Sequence, residues 1–422
     1  MAWRSLLGIV AIVGIAWALS ENRRRFPWRA VLAGLCLQGA LAAFILGSSW
    51  GRSLFEGVQS LVLQLLDFAK EGGIVVFGAL ADPEKMGAAF GPADGFVLAI
   101  TVTTTITMVA ALSATLYHWG ILQRIVQLFA VVMRRLMDVS GAESLASAAN
   151  IFMGQTEAPV IVKPYIPSMT RSEILSVMTG GMATIAGSML VVYVSFDVAG
   201  GSLAGHLLTA SVLSAPGALM MAKIIAPETE TPRTATGAAI AVERESVNAI
   251  DAACRGASDG IRLSLNVIGA LIAFVGLVAL ANAILGFTIE RVSGWFGNPV
   301  REGEALQLVM AALNYPFAWL IGIPTQDLWT VSGALGERVV LNELFGYLTI
   351  VDARDSMDPR SFTLASYALC GFANFGSIAI QIGGISALAP ERRPDLARLG
   401  AKAMVAGLLT CYLTAALVGL WI

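Results

Sequence analysis

Two segments place carboxylates where apolar residues dominate. One is IFMGQTEAPVIVKPYIP, from Ile151 to Pro167, and the other is VVLNELFGYL, which holds Glu343. In the first, Gln155, Thr156 and Glu157 set an amide, a hydroxyl and a carboxylate side by side. Such a set donates and accepts hydrogen bonds in several directions, which is the chemistry of holding a polar ligand. It lacks a nucleophile beside a base, so it does not read as a reaction centre. Gly154 permits a tight reversal and Pro159 suits the first turn of a returning helix, which puts the triplet at a hairpin tip. The four cysteines (Cys36, Cys254, Cys370, Cys411) are far apart and show neither metal nor disulfide spacing, and His118 and His206 stand alone.

The elements that must carry these groups are membrane helices. Of 422 residues, 56% are hydrophobic and 13% charged, roughly half the charged fraction of a soluble domain. Apolar runs near the ~20 residues needed to cross a bilayer recur from Ala30 to Leu46, Gly95 to Tyr117, Ile174 to Val194, Leu263 to Leu285 and Ala403 to Trp421. The run Leu6 to Leu19 lacks a basic start and a small-residue cleavage site, so it reads as a retained first helix. A net charge of -2 says nothing of nucleic acid. Arginines cluster in ENRRRFPWR, at Arg124, Arg134 and Arg135, and in PERRPDLARLGAK. By the positive-inside rule these connections are cytoplasmic and the N-terminus is outside.

Threading these constraints predicts an all-α polytopic membrane protein with eight transmembrane helices, starting near Trp3, Trp28, Gly95, Arg171, Ser202, Ile261, Ser361 and Leu399. Ser53 to Leu80 reads as interfacial, broken by glycines and charges. Gly120 to Met137 and Ala305 to Ile323 read as amphipathic or partly buried. Gly141 to Pro167 and Thr325 to Val351 fit only as two re-entrant hairpins, because a full crossing would put arginine-rich loops on the wrong side. The expected divisions are 1–94 (N-terminal scaffold helices and interfacial segment), 95–225 (first repeat), 226–260 (cytoplasmic linker) and 261–422 (second repeat).

The repeat is weak but positioned. SEILSVMTGGMATIAGSML, from Ser172, carries Gly181, Met182, Ala183, Thr184, Gly187 and Ser188; SFTLASYALCGFANFGSIAI, from Ser361, carries Gly371, Phe372, Ala373, Asn374, Gly376 and Ser377. Each follows a hairpin with one glutamate in an apolar context, Glu157 or Glu343. The units enter the membrane from opposite sides, so the repeats are inverted, as in secondary transporters whose sites form where broken helices and hairpin tips meet. A glutamate there costs several kcal/mol unless it faces protein, water or a ligand.

At these residues the chain resembles the concentrative nucleoside transporters. The resemblance rests on GQTEAP at Gly154 to Pro159, then KPYIPSMTRSEILSVMTGGMATIAGS, LNELFGYL around Glu343, and CGFANFGSIAI at Cys370 to Ile380, in that order. It implies eight helices, two re-entrant hairpins, inverted repeats, scaffold and transport domains, and a homotrimer in a bacterial inner membrane. It implies that Gln155, Thr156 and Glu157 bind the nucleobase of a uridine, cytidine or adenosine type of substrate. Glu343, Asn374 and Ser377 would bind the ribose, with Phe372 lining the pocket. Co-transported sodium would lie among the Asn150 and Thr184 side chains and the Met153 and Ile185 carbonyls, all oxygen donors, as a hard cation requires. Thr184 stands where many relatives have serine and keeps the hydroxyl; the intact GQTE favours sodium.

The expected function is a sodium-driven nucleoside symporter. The alternative keeps the architecture and uses a proton, with Glu157 or Glu343 as carrier. An enzyme would need a nucleophile–base pair or metal ligands, and a channel would need a continuous polar helix face or charged ring; neither pattern is present.

Overall fold

The computed structural model describes residues 1–90, 97–196, 203–237, 246–295 and 305–422, and among them the regular structure is helical. The N-terminal part holds α1 (Ala2–Ala18), α2 (Trp28–Gly47), α3 (Ser49–Phe77) and α4 (Pro83–Phe90). Two series of like order follow. The first is α5 (Leu98–His118), α6 (Ile121–Met137), the short pair α7 (Gly141–Ala149) and α8 (Ala158–Ile161), a helix broken into α9 (Arg171–Ala183) and α10 (Gly187–Phe196), and α11 (Leu203–Ile225). The second is α12 (Ala249–Trp295), α13 (Ala305–Ile321), the pair α14 (Leu328–Val340) and α15 (Glu343–Asp352), a helix broken into α16 (Pro359–Leu369) and α17 (Phe375–Leu388), and α18 (Arg393–Val418).

Five helices among the described residues are long and apolar enough to cross a membrane: Trp28–Gly47, Leu98–His118, Arg171–Ser195, Leu203–Ile225 and Pro390–Val418. Their burial divides them. α9, α11 and α18 pack on one another and are largely enclosed, whereas α2 and α5 leave most of their apolar surface outward. Helices apolar on every side belong inside a large core or in lipid. α5 lies along α12, and Gly256 and Gly260 let the two backbones approach: a Cβ at Gly260 would sit 2.7 Å from Thr107 Cα. α1 packs on α18 and α13, and α2 on α11 and α3.

Two boundaries differ from the sequence reading. The region 53–77 is not broken: α3 runs through Gly57, Gly72 and Gly73 to end at Gly78, and is started by Ser48, whose hydroxyl accepts the Gly51 N–H at 2.9 Å. Gly73 is small because α5 is close; its Cβ would meet Thr104 Cγ2 at 2.7 Å. The helix expected from Ile261 begins at Ala249, so the end of the polar connection 226–260 is helical. Asn248 accepts the Asp251 N–H at 2.9 Å, and Asp251 pairs with Arg255 one turn on.

The short α7 and the following α9 each start on a capping box. Ser140 accepts from Glu143 N and Thr170 from Glu173 N, and each glutamate returns the bond to its cap residue. The two boxes meet: Ser140 Oγ donates to Glu173 Oε1 at 2.5 Å. Beside them, buried Lys223 of α11 pairs with Glu143 at 2.9 Å and Glu228 at 3.2 Å and donates to Ser172 Oγ at 3.0 Å. These contacts fix the base of the first hairpin to α9 and α11. Elsewhere Glu21, between α1 and α2, takes a bidentate bond from Arg171 at 2.9 and 3.2 Å and another from Lys402 at 2.5 Å. The Arg171 hydrogen bonds, with Lys402 beside them, hold the Glu21 carboxyl far below the usual glutamate range, at about 2.

Candidate functional site

The two helix breaks cross each other. α9 ends at Ala183 and α10 begins at Gly187; α16 ends at Leu369 and α17 begins at Phe375. Gly371 lies against the first break, where a Cβ would come within 2.7 Å of Met182 O and of Cys411 Sγ. No larger residue permits that approach, and the glycine therefore serves close packing as well as the break. Gly407 of α18 presses on Met182 in the same way.

Both hairpin tips reach this crossing. Residues 150–157 turn the chain between α7 and α8, and the Phe152 carbonyl accepts the Gly187 N–H at 3.1 Å, pinning the tip to the start of α10. Gln155 is buried, and its Nε2 donates to Ser377 Oγ at 3.2 Å. Thr156 is half-buried and its methyl faces Gly384 of α17. Glu157 stays exposed and folds back, accepting the Gly154 N–H at 3.1 Å.

Glu343 opens α15 and is buried. Its Oε2 accepts Asn374 Nδ2 at 3.1 Å and its Oε1 accepts the Tyr193 hydroxyl at 2.5 Å. Asn374 is also the N-cap of α17, since its Oδ1 accepts the Ser377 N–H at 2.8 Å. A continuous polar path thus runs from Gln155 through Ser377 and Asn374 to Glu343 and Tyr193. It joins both hairpin tips and both broken helices. Phe372, half-buried, is in the same break. Ring stacking of Tyr193 on Tyr347, with centroids 4.7 Å apart, adds a second contact between α10 and α15.

Of the oxygen donors expected on the other side of the first tip, the Asn150 and Thr184 side chains both lie at Gly180. Asn150 caps α7 and is fully buried; its Nδ2 donates to Ala146 O at 3.1 Å, while its Oδ1 meets no hydrogen-bond partner. Thr184, at the end of α9, is buried and donates to Gly180 O at 2.9 Å, which leaves its lone pairs free to accept. Asn150 lies on α9 at Gly180, where a Cβ would be 3.2 Å from its Nδ2. Ile185, next in the chain to Thr184, is buried, and Met153 is half-buried. A buried carbonyl oxygen without a donor is costly unless something positive completes it, so the residues present fit a small cation.

Three participants escaped sequence reasoning. Tyr193 sits in the apolar run VVYVSF, where its only signal is that a buried tyrosine hydroxyl needs a partner. Gln381 of α17 is fully buried and donates to Met178 O at 3.0 Å, tying the second broken helix to the first. Arg338 of α14 is fully buried five residues before Glu343.

The chain as a whole is similar to known proteins. The chain matches family models described as Na+ dependent nucleoside transporter C-terminus over residues 206–419 and N-terminus over 7–80, and a gate model described as nucleoside recognition over 99–196. It is 40% identical to an uncharacterized transporter, YutK, of Bacillus subtilis, over 99% of this chain and 98% of that one. It is 36% identical to the nucleoside permease NupC of Helicobacter pylori, over 99% and 97%. CNTnw in an inward-facing substrate-bound state superposes with a TM-score of 0.90 at 38% identity, covering 100% of this chain and 98% of that one. Substituted variants of CNTnw are solved in outward-facing and intermediate states, and superpose with TM-scores of 0.90 and 0.89.

Proposed function

We propose that this chain, which belongs to the Na+ dependent nucleoside transporter family, is a symporter that imports nucleosides on a sodium gradient. The family consists of membrane transporters and not enzymes. The observation that carries the reading is the polar path from Gln155 to Tyr193, set inside helices otherwise apolar. Buried polar groups of this number are retained where a polar ligand completes them.

The roles follow from donor and acceptor chemistry. Glu343, an acceptor at both oxygens, suits ribose hydroxyls, with Asn374 and Ser377 beside it and Phe372 lining the pocket. Gln155 and Thr156 on the first tip, with the exposed Glu157, suit the donors and acceptors of a base edge. Sodium fits Asn150, Thr184 and the Met153 and Ile185 carbonyls, on the same short segment as Gln155. Holding that segment would preorder the base site, so sodium and nucleoside would each tighten the other. One relative, CNTnw, solved with its variants in inward, intermediate and outward states, supports alternating access by movement of a transport domain.

The remaining assignments rest on topology and resemblance. These are eight spans with two re-entrant hairpins, the divisions at 94, 225 and 260, a homotrimer, and the bacterial inner membrane. Calorimetry tests the coupling. Removing sodium at fixed pH and ionic strength should weaken nucleoside binding roughly 5- to 150-fold, and Thr184→Val should blunt that response. An affinity that follows pH and ignores sodium would favour the proton alternative, with Glu157 or Glu343 as carrier.

A further inference from the structure

Arg338 is the bulkiest fully buried side chain among the described residues, and none of their carboxylates lies within salt-bridge distance of it. Its Nη1 donates to Ala368 O, in the last turn of α16 just before the break. Its guanidinium lies over the Tyr412 ring, 5.1 Å from the centroid, and its Nε and Nη2 reach no acceptor. A guanidinium stays charged in proteins, so it cannot escape burial by losing a proton. What offsets its charge at close range is the carbonyl end of a helix, an aromatic face and the polar tips of Tyr412 and Cys411, with Glu343 farther off. That is an expensive way to fill space, and a leucine or methionine would fill it at less cost.

The other repeat explains the placement. Arg338 is on the first arm of the second hairpin, five residues before Glu343, and touches the last turn of α16. Asn150 is at the end of the first arm of the first hairpin, seven residues before Glu157, and lies on the last turn of α9 at Gly180. With Gly181 matched to Gly371, Gly180 corresponds to Cys370, two residues from Ala368. The first repeat offers an oxygen lacking a positive partner at this place; the second offers a positive group with no carboxylate in direct contact, Glu343 acting on it only at longer range. Cys411 of α18 marks their meeting, with its thiol 3.7 Å from Ala183 O and 3.1 Å from Cys370 O.

We propose that Arg338 is a resident cation, holding the break of the second repeat as sodium holds that of the first. This rests on the sodium reading above and adds an ion count. One sodium accompanies each nucleoside, because the pseudo-equivalent place is already filled by the chain itself. Arg338 is thus a positioning residue for Glu343 and the α16–α17 break.

The test is nucleoside affinity against sodium concentration, at fixed ionic strength, for the full-length protein in detergent. The slope of log affinity on log sodium counts the linked ions. Wild type should give a slope near one. Arg338→Lys, which keeps a cation, should keep that slope and most of the affinity. Arg338→Gln should bind nucleoside about tenfold or more weakly, with a steeper slope as a second sodium is recruited. A purely structural residue would change affinity without changing the slope. A wild-type slope near two overturns the proposal, even if Arg338→Gln fails to insert. So does an Arg338→Gln protein with wild-type affinity and slope. A wild type that ignores sodium defeats the sodium reading instead; the resident cation then survives only if Arg338→Lys retains the affinity that Arg338→Gln loses.

Discussion

Glu343→Gln probes the centre of the polar path, and the geometry fixes how glutamine must sit. Asn374 cannot turn its amide over, because its Oδ1 already accepts the Ser377 N–H at 2.8 Å. Its Nδ2 therefore keeps pointing at residue 343, and the glutamine oxygen must take that side. The glutamine amide then faces Tyr193, whose hydroxyl can rotate from donating to accepting. The fold is preserved, but one of two acceptor oxygens becomes a donor and the charge is gone. A hydrogen bond to a charged group contributes about 1.5–3 kcal/mol, so uridine affinity should fall roughly ten- to a hundredfold. Calorimetry in saturating sodium reads the loss, with unfolding temperature checking the fold. The penalty should shrink for a deoxynucleoside lacking the hydroxyl that Glu343 accepts. Equal losses for both ligands in a folded protein would remove Glu343 from the ribose site.

Four further outcomes are expected. Gln155→Ala should change the ratio of uridine to adenosine uptake while leaving the effect of a missing ribose hydroxyl alone; lost ribose discrimination would reverse the roles of the hairpins. Gly384→Ala sets a Cβ 2.8 Å from the stiff Thr156 side chain, whereas Gly383 faces open space; the first should weaken nucleoside binding roughly 5- to 150-fold by displacing the tip, about 1–3 kcal/mol of overpacking, and Gly383→Ala should not. Lys223→Met leaves Glu143 buried without its partner and should destabilise by about 3–5 kcal/mol, largely recovered when Glu143 is also made Gln; thermal unfolding that does not register the single change would refute the pairing's role. Because Glu21 is held down to about 2 when folded, its bonds stabilise above the ordinary glutamate range and are lost as pH falls from there toward 2; Glu21→Gln should flatten the acid side of a stability profile, and an unaltered profile would refute it.

How far the sequence could be read depends on which contacts are local. Gly154, Gln155 and Glu157 lie in one turn, so their spacing carries their geometry. The capping boxes at Ser140–Glu143 and Thr170–Glu173 are equally local, and their S/T-x-x-E pattern is a signal in the sequence that the helix threading did not use. Gln155 meeting Ser377 is a contact across 222 positions, and only the inverted repeat hinted at it. Tyr193 and Gln381 gave no pattern, since a single polar residue in an apolar helix has the same spacing whatever it touches. Arg338 carries no motif of its own in the sequence. Its meaning comes from complete burial against a helix end, which no periodicity reports. Glycines misled in the other direction: Gly57, Gly72 and Gly73 suggested breaks in α3, but glycine in a helix also marks close approach of a neighbour, as Thr104 is to Gly73.

The most direct measurement of the central claim is uptake of radiolabelled uridine by the purified protein in proteoliposomes. An inward sodium gradient is imposed or withheld at the same pH inside and out, with potassium replacing sodium. The account predicts accumulation above the external concentration with the gradient, collapse to equilibration without it, and no drive from a pH gradient alone. Accumulation that follows the proton gradient and disregards sodium would contradict it.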